Sequence, residues 1–251
     1  MLHHAVTDIY LLAATLSARG EDMPLATWRL NVDGLVNVLE LAREHKIARI
    51  FWPSSIAAFG PHSARSPTPQ WTAMDPTTIY GASKVAGERL CEYYFARFGV
   101  DVRSIRFPGV ISHRTPPGGG TTDYAVAIFH AAKRHERYRC FVSEDTTLPM
   151  IYMPDALRAV LELMNADPAR LHIRSSYNVA GLSFSAGELA AAIKRRRPGF
   201  EVNYAPDFRQ AIAASWPAVI DDADARNDWD WKPRYGLDEL TADMLENVQA
   251  A

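Results

Sequence analysis

The chain has 251 residues, 48% of them hydrophobic and 22% charged, enough to bury a full core in one large domain or two small ones and too apolar for a disordered chain. A formal net charge of −2 and a pI near 6.4 give no electrostatic footprint for nucleic acid or an anionic membrane surface. Only Cys91 and Cys140 are present, which excludes a disulfide framework or a zinc site; with no run of roughly 18 apolar residues and no basic, cleavable leader, a cytoplasmic protein is expected.

In chain order, His3 and His4 are adjacent and would not share a helix or strand face, so they read as a frayed start and not as ligands. Ile9 to Ala14 is an apolar run compatible with a strand ending in the small residues Ala13 and Ala14. Asn31 to His45 carries Leu35, Val36, Val38, Leu39, Leu41 and Ala42 at helical spacing and closes on His45 and Lys46. A short buried strand, Ala48 to Trp52, is broken by Pro53, Ser54 and Ser55, and a helix from Ser83 to Phe98 follows with Val85, Leu90, Tyr93, Tyr94 and Phe98 as apolar positions. Val102 to Phe107 is the next strand. Beyond it come a Pro/Gly loop from Pro116 to Gly120, a helix from Asp123 to about Arg134, a strand-like piece from Pro149 to Met153, a helix from Asp155 to Asn165 and a strand from Ser176 to Ala180. The remainder reads as helix, short strand and Trp-rich irregular chain. Lys194 to Arg197 closes an apolar helical stretch (Leu189, Ala190, Ile193) before Pro198 and Gly199, so this basic run reads as a solvated helix end that complements the dipole. Alternation of strands and helices implies a parallel sheet covered on both faces.

Tyr80 and Lys84, in Ile79-Tyr80-Gly81-Ala82-Ser83-Lys84, lie four apart on one helix face. An ammonium there would favour the ionised phenol, and moving a phenol from about 10 to about 7 takes on the order of 4 kcal/mol. Taken alone, the spacing is far more often that of a solvated lysine beside a half-buried tyrosine, and only its context favours the pairing. Ser55, about 25 residues upstream, sits at the carboxyl end of the preceding strand, where ligands bind in open α/β sheets.

Two further segments could carry chemistry. In Pro116-Pro117-Gly118-Gly119-Gly120-Thr121-Thr122-Asp123-Tyr124, three glycines let backbone amides converge at a helix start, so a carboxylate or phosphate could dock beside the threonines; the bland reading is a connector capped by Asp123, and no Lys-Ser/Thr pair makes it a Walker loop. Ser215-Trp216-Pro217 would be a packing anchor or a substrate contact, and Phe107 to Ile111 would end a strand or wall a nicotinamide ring.

The order of strand, serine, Tyr/Lys helix and strand resembles the extended short-chain dehydrogenase/reductase family. Phe51 to Pro61, Tyr80 to Tyr94, Gly99 to Ser112, Pro116 to Val126, Pro206 to Asp222 and Ala225 to Lys232 resemble the short-chain type of L-threonine 3-dehydrogenases within it. That resemblance implies a Rossmann-like, doubly wound α/β fold with a smaller substrate-binding region, here 1–111 and 154–181 against 112–153 and 182–251. It implies NAD as cofactor and oxidation of the L-threonine β-hydroxyl to 2-amino-3-oxobutanoate. Tyr80 would be the base, Lys84 would hold it ionised and bind the nicotinamide ribose, and Ser55 would orient the reacting oxygen. Ser17, Thr121, Thr122 and Trp216 would line the amino-acid pocket, and Ala13, Ala14, Asn31, Pro108 and Val110 would lie along the cofactor. Leu12 stands where the family has histidine. A homodimer through the helices from Asn31 and Ser83 fits the family's habit.

No GxGxxG or GxxGxxG follows a first strand, and the sequence opens near the family's fourth strand, so about 60 residues carrying the pyrophosphate cradle are expected to be missing. Weak or absent NAD affinity follows as an expectation. The alternatives are an NDP-sugar epimerase or dehydratase with the same triad, or a catalytically silent fragment.

Overall fold

A computed structural model describes residues 6–249; His3 and His4 lie outside the described residues. The main sheet has four parallel strands in the order β1 (Asp8–Tyr10), β2 (Arg49–Ser55), β3 (Val102–Phe107) and β7 (Tyr177–Asn178). Between β1 and β2 the chain makes α1 (Ser17–Glu21), α2 (Pro24–Trp28), a π turn (Arg29–Asp33) and α3 (Gly34–His45). A 3-10 turn (Ile56–Ala58) and the long α4 (Ile79–Phe98) link β2 to β3.

β4 (Gly109–Ile111) leaves the main sheet and pairs with β6 (Thr147–Tyr152), which pairs antiparallel with β8 (Leu182–Ser185). α5 (Tyr124–Lys133) and β5 (Tyr138–Cys140) intervene, and α6 (Met153–Asn165) precedes β7. After β8 come α7 (Ala186–Arg196), β9 (Val202–Tyr204, parallel to β5), α8 (Phe208–Ser215), α9 (Ala223–Trp229) and α10 (Leu237–Asn247).

The alternation along β2 explains the two-sided cover. Ile50 and Trp52 pack with Leu35, Leu39, Cys91, Tyr94 and Val102 under α3 and α4, while Phe51 packs with Ile105, Ala156, Ala159, Leu163 and Tyr177 under α6. The doubly wound α/β arrangement is therefore present in the chain itself. A larger third cluster, built on Tyr124, Phe129, Leu148, Met150, Phe184, Leu189 and Trp216, holds the second sheet against α5, α7 and α10. No helix of the described residues is long and apolar enough to cross a membrane.

Several elements differ from their expected bounds for local reasons. The first strand stops at Tyr10, the last residue in register with β2, and the Leu11 amide makes a final bond to the Phe51 carbonyl at 2.9 Å; Ala13 and Ala14 lie in the irregular stretch that follows. The helical path toward His45 begins at Pro24, whose fixed φ suits a first turn, and passes through the π turn that contains Asn31. α4 starts at Ile79, four residues before its expected start, because the Thr78 hydroxyl accepts the Gly81 amide at 3.0 Å; it ends at Gly99, whose φ of +71° suits a left-handed cap.

Gly81 decides how close α4 approaches β2. A Cβ there would meet the Ala57 carbonyl oxygen at 2.2 Å and the Pro76 Cβ at 2.5 Å, so the helix start rests directly on the turn after Ser55. Gly81→Ala is expected to cost about 1–3 kcal/mol, as overpacking does, and to lower the heat-unfolding midpoint by roughly 2–10 °C. An unchanged midpoint in differential scanning calorimetry would show that this contact does not set the helix position.

Candidate active site

The carboxyl ends of β2 and β3 open onto a cavity of about 290 Å³. Its lining brings together Ser55, Tyr80, Lys84, Ala14, Ser17, Pro108, Val110, Thr121, Thr122 and Trp216 from six separate stretches of sequence. Ala13 and Asn31 do not line it. Asn31 is buried: its amide oxygen accepts the Thr15 amide at 2.9 Å, and its Nδ2 donates to the Thr15 carbonyl at 3.2 Å and to the Ser83 hydroxyl at 3.1 Å. It therefore pins the stretch carrying Ala14 and Ser17 to α4. Leu12, Phe107 and Asp123, marked in the sequence for other reasons, also line the cavity, as do Leu16 and Ile56, which carried no motif.

Tyr80 and Lys84 are both buried, with Ser55 at the cavity edge of β2. Lys84 Nζ donates to the Pro53 carbonyl at 2.6 Å and lies 4.6 Å from the Trp52 ring centroid and 5.4 Å from that of Tyr80. Burial lifts the Tyr80 phenol to about 12, against a smaller downward pull from the Ser55 hydroxyl. Burial also lowers the Lys84 amine to about 8, opposed by Cys91 and Glu88. In this arrangement burial outweighs the downward pull on the phenol. One ammonium donor goes to a backbone carbonyl, and loss of water penalises the charged form of both groups.

The glycine loop is also filled from within. Asp123 Oδ2 accepts the amides of Gly118, Gly119 and Gly120 at 2.6, 2.7 and 2.8 Å, and Gly119 takes a φ of +93° that only the loop's glycines tolerate easily. The convergence of amides is as expected, but their anion is the chain's own carboxylate, not a docked ligand. Thr121, buried beneath this loop, has a hydroxyl with no partner among the described residues.

Trp216 is walled in from the other side. Its carbonyl accepts Arg65 Nε at 3.0 Å, and the Arg65 carbonyl accepts the amides of Ala218 and Val219 at 2.9 and 3.1 Å. Among the described residues no group of three or more His, Cys, Asp or Glu side chains could hold a metal ion.

This geometry has counterparts in known proteins. Residues 1–180 match the model of the NAD dependent epimerase/dehydratase family. The chain belongs to that family. An uncharacterized epimerase/dehydratase of Staphylococcus haemolyticus is 48% identical over 239 residues, 95% of this chain and 75% of that protein. A partial consensus L-threonine 3-dehydrogenase superposes with a TM-score of 0.97 at 60% identity, covering 100% of this chain and 81% of that one. The holo form of a GalE-like L-threonine dehydrogenase from Cupriavidus necator gives 0.97 at 59%, with 99% and 80% covered. Family membership and these neighbours make the chain an oxidoreductase of the NAD dependent epimerase/dehydratase class.

Burying Lys84 beside Tyr80 carries a cost in stability. A buried amine lowered from 10.5 to about 8 destabilises the folded chain by about 3 kcal/mol below pH 8, and the penalty fades as pH rises to about 10.5, where the unfolded chain also loses its proton. Lys84→Met is expected to be more stable than the parent at pH 7 by about 1–3 kcal/mol, the lost bond to Pro53 offsetting part of the gain. Urea unfolding at pH 7 and pH 10 checks this: the advantage should shrink at the higher pH, and a destabilised variant at pH 7 would refute the desolvation account.

Proposed function

We propose that this chain is built for NAD-dependent oxidation of L-threonine at its β-hydroxyl, giving 2-amino-3-oxobutanoate. The observation that carries the reading is the convergence of Ser55, Tyr80 and Lys84 with Ser17, Thr121, Thr122 and Trp216 around one small cavity. At about 290 Å³ it lies at the low end of the ~300–1,000 Å³ range of ligand pockets, which suits a compact amino acid and leaves little room for a sugar nucleotide.

Tyr80, at the cavity wall between Ser55 and Lys84, is placed to receive the hydroxyl proton. Ser55 would hydrogen-bond the reacting oxygen and hold it toward the phenol. Tyr80 and Lys84 together lose their first proton near pH 8, the value of the more acidic group, and the productive form keeps the remaining proton on the amine and the negative charge on the phenol. The threonines and Trp216 would fix the amino-acid end, with the unpartnered Thr121 hydroxyl free to turn toward it. Pro108, Val110 and Ala14 fit along a nicotinamide ring, and Lys84 is close enough to the cavity to reach a ribose hydroxyl. When bound, NAD supplies the acceptor for the hydride leaving the same carbon. The resemblance also favours a homodimer in the cytoplasm.

Incubation with L-threonine and NAD, followed by absorbance of the reduced cofactor, is expected to give a rate that climbs between pH 7 and pH 9. Tyr80→Phe should reduce kcat by a factor of about 10²–10⁴, the usual share of general acid–base catalysis. A thermal-shift panel separates the readings. Stabilisation by a UDP-sugar but not by threonine with NAD would favour the epimerase/dehydratase alternative, and no turnover with no stabilisation by either would mark a silent chain.

A further inference from the structure

Below the cavity lies a buried charge that the mechanism above does not use. Glu88 is fully buried on α4, one turn after Lys84, so that Tyr80, Lys84 and Glu88 follow one another at intervals of four along the same helix stripe. Arg106 from β3, 1% exposed, grips its carboxylate in a forked pair, Nε to Oε1 at 2.9 Å and Nη2 to Oε2 at 2.8 Å. Ser54 of β2, opposite Arg106 in the strand register, donates its hydroxyl to Glu88 Oε1 at 2.6 Å. Arg106 Nη1 continues to the Gln70 carbonyl at 2.9 Å and to Asn178 Oδ1 of β7 at 3.0 Å.

An ion pair removed from water in this way rarely repays its desolvation as stability. Its position supplies a reason for its presence. The residue that Glu88 holds through a hydroxyl, Ser54, is flanked by Pro53, whose carbonyl accepts Lys84, and by Ser55, at the cavity edge. Two consecutive residues of β2 are thus tied to α4 four residues apart, and these two and the third, Ser55, all border the cavity.

We propose that Glu88, clamped by Arg106, is a positioning residue for the reaction: it fixes the end of β2 through Ser54 and the charge around Lys84 through the helix they share, and so sets where Ser55 and the Lys84 ammonium stand against Tyr80. This rests on the roles given above to Ser55, Tyr80 and Lys84. The groups facing Lys84 are Tyr80, Glu88 and Cys91 from α4 and Trp52 and the Pro53 carbonyl from β2; Arg106 faces Glu88 from β3. Of these, Glu88 and Cys91 favour the protonated amine.

Two variants and one spectroscopic readout test this. The chain has five lysines, so 13C-labelled lysine gives a resolvable NMR titration of the full-length protein. Glu88→Gln keeps the shape of the carboxylate but not its charge. It is expected to weaken the proton affinity of Lys84 about tenfold, moving its titration and the rise of kcat with pH to lower pH together, with KM for threonine changed less than kcat. Ser54→Ala removes only the tie to β2. It is expected to lower kcat several-fold without moving the Lys84 titration, and it remains informative should Glu88→Gln fail to fold. A Lys84 titration in Glu88→Gln that matches the parent, or a Ser54→Ala variant with unchanged kcat, would overturn the inference. If Glu88→Gln moves the titration but the parent oxidises no threonine, the electrostatic half of the inference stands and only the substrate assignment falls.

Discussion

A lysine amine kept from water beside a phenol is an unfavourable arrangement, and the surrounding elements are what maintain it. Trp52 offers the ammonium a ring face, Pro53 a carbonyl, and α4 supplies the whole stripe of Tyr80, Lys84 and Glu88. Removing solvent weakens both charged forms, so the phenol is pushed up and the amine down from their ordinary values. The same dry setting that opposes the charge at rest strengthens any field acting on a reacting hydroxyl. The buried Arg106–Glu88 pair extends this logic one layer down, where its bonds join β2, β3, β7, α4 and the loop carrying Gln70.

Much of the α/β framework was legible because it rests on periodicity. The apolar run before Pro53, the helical stripe after Tyr80 and the run Val102 to Phe107 each match a strand or helix of the main sheet. The grouping of Ser55, Tyr80 and Lys84 was expected for a different reason: local rules put a serine at a strand end and a tyrosine and a lysine on one helix face, and the family resemblance singled them out. What stayed hidden depends on partners distant in sequence. Glu88 and Arg106 read as ordinary polar positions, yet both are buried because each neutralises the other across 18 residues. The short strands β4, β5, β8 and β9 are too brief to show a period, and they exist because a neighbouring segment completes their hydrogen bonds.

The glycine loop shows how a correct local rule can leave its outcome open. Three successive amides do converge at a helix start, but sequence could not say whether an external anion or Asp123 would fill them. Proximity decides it: a carboxylate three to five residues away is always present, whereas a ligand must bring its own affinity. Asn31 is a similar case, since its side chain is spent on Thr15 and Ser83 before it could reach a ligand. Its contribution is to the placement of the stretch beside the cavity.

The clasp between the loop after β2 and the Trp216 segment has an evolutionary corollary. Apart from the Arg65 guanidinium and the Asn178 side-chain amide, which donates to the Thr68 and Asp221 carbonyls, it is made by backbone groups: the Arg65 carbonyl takes the amides of Ala218 and Val219, the Thr68 amide donates to the Val219 carbonyl, and the Asp221 amide returns to the Thr68 carbonyl. Backbone bonds are indifferent to side-chain identity but not to register. An insertion or deletion anywhere between 65 and 68 would therefore slide one strip past the other and tilt an indole on the far side of the cavity.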